Sequence, residues 1–483
     1  TVQAKSLHKD ITPSIETQHF DEIHLPHNIY DVVIVGGGIT GCTLACALAS
    51  TPETSLLRVA LIEVSDLTKI KGWNPSEEEF SNRVSSLTPR SVGFLKDIGA
   101  WQHVDRSRTR PYEFMQVWDG ISDSRLSFDL DNIKSDAIAW VVENNHIQRA
   151  ILARLEECND GNVDVLDGTR VEKIFYESES GNEFDLSDWP TVLLSSGETL
   201  KARLLVGADG VNSAVRSFAG IDMLGWDYDA NAVVATLHVD PLVENKTAWQ
   251  RFLPTGPIAM LPAIWSTIPA LASKLRLLPE SDFVHLVNAA FRLRLADLQY
   301  FQSQLLEGDD INLQDEITWR EQVETKNFTG ENMEDDSKLP PRILGVQEKS
   351  RASFPLKMRN AERYVKERIT LIGDAAHTIH PLAGQGLNQG IADAQCLTQT
   401  IQAGVNTGQN IGDLELLGEY SSARYLPNLA MIGAVDKLHK LYSTEFGPIV
   451  WTRSIGLNAI NRMSPLKTEI MKFAMGIGTD VYG

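Results

Sequence analysis

The densest chemistry in this 483-residue chain lies between Ile369 and Gly390, ITLIGDAAHTIHPLAGQGLNQG. An apolar run, Ile369 to Ile372, reads as a buried strand and ends on Gly373-Asp374. A carboxylate at a strand end can accept hydrogen bonds from a chain of sugar-like hydroxyls. His377, His380 and Pro381 follow, then a glycine-flanked turn, Gly384-Gln385-Gly386, leading into a helix expected over 387–400. Glycines at that point let backbone N–H groups approach a ligand, with the positive end of the helix dipole behind them. The combination suits a flat cofactor that becomes negatively charged on reduction. By chemistry alone the two histidines are acid–base candidates, yet their place in the motif favours structural roles. Their spacing lacks the further ligands a metal needs, so no metal site is expected.

Two other stretches carry ligand-binding patterns. From Tyr30, YDVVIVGGGITGCTLACALAS reads as a strand, Gly36-x-Gly38-x-x-Gly41, and a helix of small residues. The first glycine makes the turn, the second admits a pyrophosphate, and the third lets helix and strand pack closely. A second strand, expected over 58–62, ends at Glu63, placed for the ribose hydroxyl pair of an adenosine. This order predicts dinucleotide binding without separating FAD from NAD. Farther on, a strand over 202–206 runs into Gly207-Ala208-Asp209-Gly210 and VNSAVRSFAG. Asp209 there is a ligand-side carboxylate or a helix cap. Only one dinucleotide-type glycine motif is visible, which argues against enzymes with separate FAD and NAD domains.

GDAAHxxHPxxGQGxN, the glycine motif and GADGxxSxVR resemble the three flavin motifs of the class A flavoprotein monooxygenases, the para-hydroxybenzoate hydroxylase group. Within that group the chain is most similar to the ubiquinone-pathway ring hydroxylases, through NRVSSLTPRS, WQRFLPTGPIA, GDAAHTIHPLAGQGLN, KLYSTEFGPIV and GLNAINRMSPLK. The resemblance covers residues 30–475. It implies an α/β fold: a Rossmann-like FAD-binding domain, an interleaved β-sheet substrate domain and C-terminal helices. It also implies that Asp209 lies by the pyrophosphate of FAD, and that Gly373, Asp374, Leu387 and Asn388 belong to the flavin motif. The backbone of Gly384, Gln385 and Gly386 would face the pyrimidine side, and Pro381 would line the reaction face. Arg83 matches an arginine placed near the flavin, although a surface arginine at a helix entry reads the same way. Gln148 matches a glutamine set against the cofactor's phosphate or sugar, and equally an ordinary solvated helix residue.

The implied reaction is hydroxylation of an aromatic ring, at position C5, in a polyprenylated hydroxybenzoate or phenol of ubiquinone biosynthesis. The reduced flavin meets O2, forms a C(4a)-hydroperoxide and passes the distal oxygen to the ring. The protein holds the ring, excludes water and supports the reduced flavin's charge; no general base is assigned. The resemblance further implies electrons from a ferredoxin/ferredoxin reductase system, other ubiquinone-biosynthesis proteins as partners, and a peripheral location on the matrix face of the inner mitochondrial membrane. A flavin-dependent dehydrogenase or reductase, or a cofactor-binding scaffold, would share these motifs.

The elements that must position these residues fall into two domains with appendages, as the length requires. A poorly ordered arm is expected over 1–28. The cofactor domain is expected from 29–110, 143–220 and 351–400, and the substrate domain from 111–142 and 221–350. An acidic excursion, 304–341, includes Glu331, Glu334, Asp335 and Asp336 and reads as solvated and mobile. A helical region follows over 401–483. The hairpin running from Leu261-Pro262-Ala263 into Ile264 is shorter than in the resembled family.

With 44 basic and 64 acidic residues the net charge is −20, which excludes nucleic-acid binding through the overall field. Cys42, Cys46, Cys158 and Cys396 form no CxxC, and Cys42 and Cys46 read as small core residues in a reducing compartment. The start at Thr1 is consistent with a removed targeting segment. Between Lys437 and Lys472, six basic residues stand against Glu445 and Glu469, interleaved with Phe446, Trp451 and aliphatics. That pattern predicts an anionic membrane surface as a partner, with a partner protein on the same face, or packing of the apolar residues on the chain's own core, as the alternatives.

Overall fold

The computed structural model describes residues 28–131, 133–177, 185–260, 263–308, 312–328, 339–381 and 384–477. Residues 1–27 of the expected arm, the acidic residues of 331–336, and Leu261 and Pro262 lie outside the described residues. Two eight-stranded sheets organise the chain. At the centre of the first, Ile29–Val35 pairs in parallel with Thr199–Gly207 on one side and Val59–Ile62 on the other. Ile369–Leu371 extends the sheet beyond Thr199–Gly207, and Val163–Leu166 beyond Val59–Ile62. Val32, Val33 and Ile34 are fully buried, because helices cover the sheet and leave no polar face. The helix Ile39–Ser50 packs against both Asn144–Cys158 and Gly386–Thr407. Small residues allow the close approach: a Cβ on Gly390 of the facing helix would stand 2.6 Å from Thr40 Oγ1, and one on Gly41 would stand 1.9 Å from the Gly36 carbonyl oxygen of the preceding turn.

The second sheet runs in the order His377–Thr378, Ala352–Ala361, Met223–Val234, Ile264–Thr267, Ile258–Met260, Thr247–Phe252, Phe114–Asp119 and Arg125–Phe128. The segment after residue 351, expected in the cofactor domain, begins with a strand of this sheet. Ala352–Ala361 pairs antiparallel with Met223–Val234, in register Val234↔Ala352, and the chain rejoins the first sheet only at Ile369. The alternation of buried Leu356, Met358 and Asn360 with more exposed neighbours explains the placement: one face of this strand packs inward. The short hairpin closes, with Ile258 opposite Trp265 and Ala259 opposite Ile264. Within the expected acidic excursion, Leu313–Phe328 is a helix that buries Leu313 and Ile317 in the core beneath this sheet.

The C-terminal region is helical: Leu414–Ser443, Gly447–Arg462 and Ser464–Met475. Tyr442, Leu457, Met471 and Met475 pack against Val117, Leu126, Phe128 and Phe252 of the second sheet. The basic residues counted in this region do not all face outward. Arg453 is buried against Asp119, Lys440 pairs with Asp436, Lys467 with Asp129, and Lys472 with Glu469. Helical periodicity did not reveal those partners, two of which lie more than three hundred residues earlier in the chain. Among the described residues no helix is long and apolar enough to cross a membrane.

Candidate active site

Between the two sheets lies a cavity of about 1020 Å³ on which the three motifs converge. Two helix N-termini open onto it, one through Gly38, Ile39 and Thr40, the other through Gly384, Gly386 and Leu387. Neither N-cap residue, Gly38 or Gln385, makes a side-chain cap, so first-turn N–H groups of both helices are left for a ligand. Gly36 needs its φ of +108°, and a Cβ there would lie 2.3 Å from the Ala208 carbonyl oxygen. A Cβ on Gly38, in contrast, meets no protein atom within 4 Å. The space beside it is cavity.

Glu63 lines the cavity and anchors the glycine turn, accepting from Gly37 N–H at 2.7 Å and Ser65 N–H at 2.8 Å. Gln148 is not on the wall; its Nε2 donates to the Gly37 carbonyl at 2.6 Å. The same carbonyl accepts from Cys42 Sγ at 3.0 Å. Gly37 is thus gripped at both its N–H and its C=O. Arg83 lines the cavity with an exposed side chain, while its backbone carbonyl accepts from Asn144 N–H at 2.9 Å.

Asp209 caps a helix with one carboxylate oxygen and turns the other to the cavity. Oδ2 accepts from Ala214 N–H at 2.7 Å, capping the helix Ala214–Ala219, while Oδ1 is buried at the cavity with no protein partner. From that helix Arg216 donates to the Ala375 carbonyl at 2.8 Å, tying the GADG turn to the GDAA turn.

Gly373 takes φ +59°, and the Asp374 carboxylate opens on the cavity, where enclosure by the walls pushes its pKa up. Neither histidine lines the cavity. His377 Nε2 lies 2.5 Å from Asp393 Oδ2, which also accepts from Gly373 N–H at 3.0 Å. Asp393 Oδ1 accepts from Arg424 at 2.7 Å and Asn428 at 3.1 Å. Burial alone would raise the Asp393 pKa, but His377 and Arg424 outweigh it and hold the carboxyl below the usual range. His380 is fully buried between the rings of Tyr228 and His439, with centroids at 5.1 and 5.0 Å, and burial pushes its pKa down to about 3. Sequence reading passed over Asp393, Arg424 and Asn428. The available signal was a lone acid inside the small apolar run Gly390-Ile391-Ala392-Asp393-Ala394.

Pro381 lines the cavity, and its carbonyl accepts from Gly384 N–H at 3.0 Å. Asn388 stands behind the wall. Its Oδ1 accepts from Thr88 N–H and Ser91 Oγ, and its Nδ2 donates to the Ser86 and Gly384 carbonyls. The Gln385 side chain turns away to the Ala474 carbonyl at 3.0 Å, leaving only its backbone near the turn. Across the cavity, Ala352, Val234 and Ile264 form one row over three strands, with Phe354 next on the same face. That wall is apolar. The orphaned Asp209 oxygen, the open space at Gly38 and two uncapped helix N-termini together fit a dinucleotide with a diphosphate centre and a flat ring at the far end.

Residues 29–266 and 312–431 match the family model described as FAD binding domain. The ubiquinone biosynthesis monooxygenase COQ6, mitochondrial, of Xenopus tropicalis is 40% identical over 92% of this chain and 93% of its own length. The proteins of that name from Schizosaccharomyces pombe and Homo sapiens are 39% and 38% identical. They cover 95% and 92% of this chain, and 95% and 92% of their own lengths. Among solved structures, p-nitrophenol 4-monooxygenase PnpA from Pseudomonas putida superposes with a TM-score of 0.61 at 18% identity, over 92% of this chain and 96% of that one. A Klebsiella pneumoniae HpxO variant complexed with FAD gives 0.61 at 17% identity, over 93% of this chain and 99% of that one. These two likenesses are of fold.

Proposed function

This chain belongs to the ubiquinone biosynthesis monooxygenase family and is an FAD-dependent oxidoreductase, and from that premise we propose that it hydroxylates ring position C5 of a polyprenylated hydroxybenzoate or phenol. One observation carries the reading: a single cavity joins the three motif ends to the apolar wall of Val234, Ile264, Ala352 and Phe354. Bound FAD supplies the oxygen-activating chemistry; the protein supplies position, dryness and charge.

In this assignment Gly36, Gly38 and Gly41 bring the helix Ile39–Ser50 up to the diphosphate, with the free Asp209 oxygen beside it. Glu63 takes the ribose hydroxyls, and Gln148 acts through its hold on Gly37. Gly373 turns the chain so that Asp374 accepts from the ribityl hydroxyls, and Arg83 sits near the ring. The backbone of Gly384, Gln385, Gly386 and Leu387 meets the pyrimidine edge, with Asn388 fixing that turn to the strand Val84–Leu87. The positive end of the helix Gly386–Thr407 favours the anionic reduced ring. Pro381 lines the face where the substrate ring is held.

The other reactants are O2 and electrons from a ferredoxin/ferredoxin reductase system. The enzyme works beside other ubiquinone-biosynthesis proteins on an anionic membrane, at the matrix face of the inner mitochondrial membrane. Support comes from Phe446, Ile449, Trp451 and Ile455, all exposed on the C-terminal helices.

The test is a purified, yellow holoprotein given a reductant, O2 and a prenylated hydroxybenzoate, with products identified by mass spectrometry and NMR. The expected product carries one added hydroxyl at C5. Reoxidation of the flavin with no oxygenated product, or hydroxylation at another carbon, would overturn the reading.

A further inference from the structure

Two thiols meet away from the cofactor cavity, where the helices Ile39–Ser50 and Asn144–Cys158 pack together. Cys46 is fully buried on the first helix, and Cys158, the last residue of the second, is half-buried. One hydroxyl, that of Ser50, reaches both thiols. Ser50, one turn after Cys46, places its Oγ 3.3 Å from Cys158 Sγ and 3.9 Å from Cys46 Sγ. Arg154, one turn before Cys158, donates to the Ile98 carbonyl at 2.9 Å, the same carbonyl that Ser50 Oγ contacts at 3.3 Å. Cys42 and Cys396 are buried elsewhere, Cys42 bonded to the Gly37 carbonyl.

We propose that Cys46 and Cys158 are a redox modification site that takes hydrogen peroxide and closes to a reversible disulfide, with Cys158 reacting first. Of the two residues Cys158 is the less buried. Cys46 beside it, with Ser50 and Arg154, pulls the Cys158 thiol down to about 6, which favours the reactive thiolate. Cys46, beside that sulfur and buried, is held well above its ordinary value and stays a thiol until called on.

The chemistry balances. The Cys158 thiolate attacks peroxide: an S–O bond forms, the O–O bond breaks, and the departing hydroxide takes a proton to become water. Cys46 Sγ then attacks the Cys158 sulfenic sulfur; the S–S bond forms, the S–O bond breaks, and the second water leaves with the Cys46 proton. Two thiols are oxidised by two electrons and one peroxide is reduced to two waters. A dithiol reverses the step. The bond would tie the helix that opens at Gly38 to the helix whose Gln148 holds the Gly37 carbonyl, so the pair's redox state reaches the cofactor turn.

The experiment takes reduced holoenzyme, adds graded hydrogen peroxide, alkylates, digests without reductant and maps the peptides by mass spectrometry. The expected result is a Cys46–Cys158 linked peptide that forms before Cys42 or Cys396 is oxidised and that dithiothreitol removes. In Cys46→Ser, with FAD content checked as wild type, Cys158 should instead be trapped by dimedone as the sulfenic acid. Wild-type protein in which Cys158 passes to sulfinic acid while Cys46 remains alkylatable after denaturation overturns the proposal. So does wild-type protein in which Cys42 and Cys396 react first.

Discussion

Asp119 and Arg453, 334 positions apart, form a two-bond ion pair of 2.9 Å at each contact, and both side chains are only 1% exposed. The two N–H groups of Nη1 donate to the Leu441 and Thr444 carbonyls. One side chain therefore joins the last strand residue of Phe114–Asp119 to the end of one C-terminal helix and the body of the next. Removing one member of such a pair strands the other charge without water. Arg453→Leu should destabilise the protein by about 3–5 kcal/mol in urea denaturation. The double variant with Asp119→Leu should recover much of that loss. A single variant within about 1 kcal/mol of wild type would show that the pair holds nothing together.

Gly36, Gly38 and Gly41 look alike in sequence and differ in what surrounds them. A Cβ on Gly36 or Gly41 runs into backbone within 2.3 Å, whereas Gly38 has the φ of an ordinary residue and open space. Gly38→Val should therefore fold with wild-type circular dichroism and lose its FAD absorbance. Gly41→Val should fail to fold at all. A yellow Gly38→Val protein would mean that the space is not used by the cofactor.

That contrast marks what a linear reading can reach. The motif glycines, Glu63 and Asp374 were legible because local order alone, strand then turn then helix, brings backbone and carboxylate to one end of a sheet. The Asp393–Arg424–Asn428 network was not, since its members lie on two helices and identify one another only once packed. The pairing of the strand Ala352–Ala361 was hidden for a similar reason. Nothing between Arg351 and Ile369 signals that the chain pairs with Met223–Val234 before returning. The partners of the C-terminal charges were not legible either, because counting lysines and arginines ignores acids such as Asp119 and Asp129, contributed by distant strands and loops.

Asp374 offers an acceptor to the cofactor from inside the cleft. Asp374→Ala should weaken FAD binding by about 1.5–3 kcal/mol, the worth of a hydrogen bond to a charged group. Asp374→Asn should fall between the two. Because the cleft walls raise the carboxyl's pKa, wild-type affinity should start to fall at a higher pH than a fully solvated aspartate would dictate, as protonation removes an acceptor. Equilibrium quenching of flavin fluorescence measures all three. Unaltered affinity in the alanine variant removes Asp374 from the site.

His380 sets the acid side of stability. Its folded pKa of about 3 lies below the ordinary value of 6.5, so between those values the unfolded chain binds the extra proton. Stability is complete above pH 6.5 and falls as pH drops, by up to about 5 kcal/mol over the window. His439, also pushed down by burial, adds in the same direction. Asp393, held below the usual carboxylate range, adds a loss only at lower pH, where the unfolded carboxylate protonates first. Urea midpoints at pH 7.5, 6 and 5 should decline for wild type and decline less steeply for His380→Gln. Parallel slopes would assign the proton uptake to other groups.

Of the six basic residues between Lys437 and Lys472, Lys440, Arg453, Lys467 and Lys472 are engaged by Asp436, Asp119, Asp129 and Glu469. Lys437 and Arg462 are exposed and show no ion pair among the described residues. Two cations near anionic lipid are worth about 1 kcal/mol each, a small attraction for a body of net charge −20. The apolar side is larger: Phe446 and Trp451 are 63% and 69% exposed, and burying each in the interface is worth about 1.5–3 kcal/mol. Membrane binding should therefore depend on the aromatics first. In co-sedimentation with phosphatidylcholine–phosphatidylglycerol vesicles, Phe446→Ser/Trp451→Ser should lose most of the binding. Lys437→Gln/Arg462→Gln should lose less, and only this smaller part should vanish in high salt. If the serine pair binds like wild type while the glutamine pair does not, charge rather than apolar insertion holds the protein to the surface. If neither pair changes binding, this helical face does not meet the membrane.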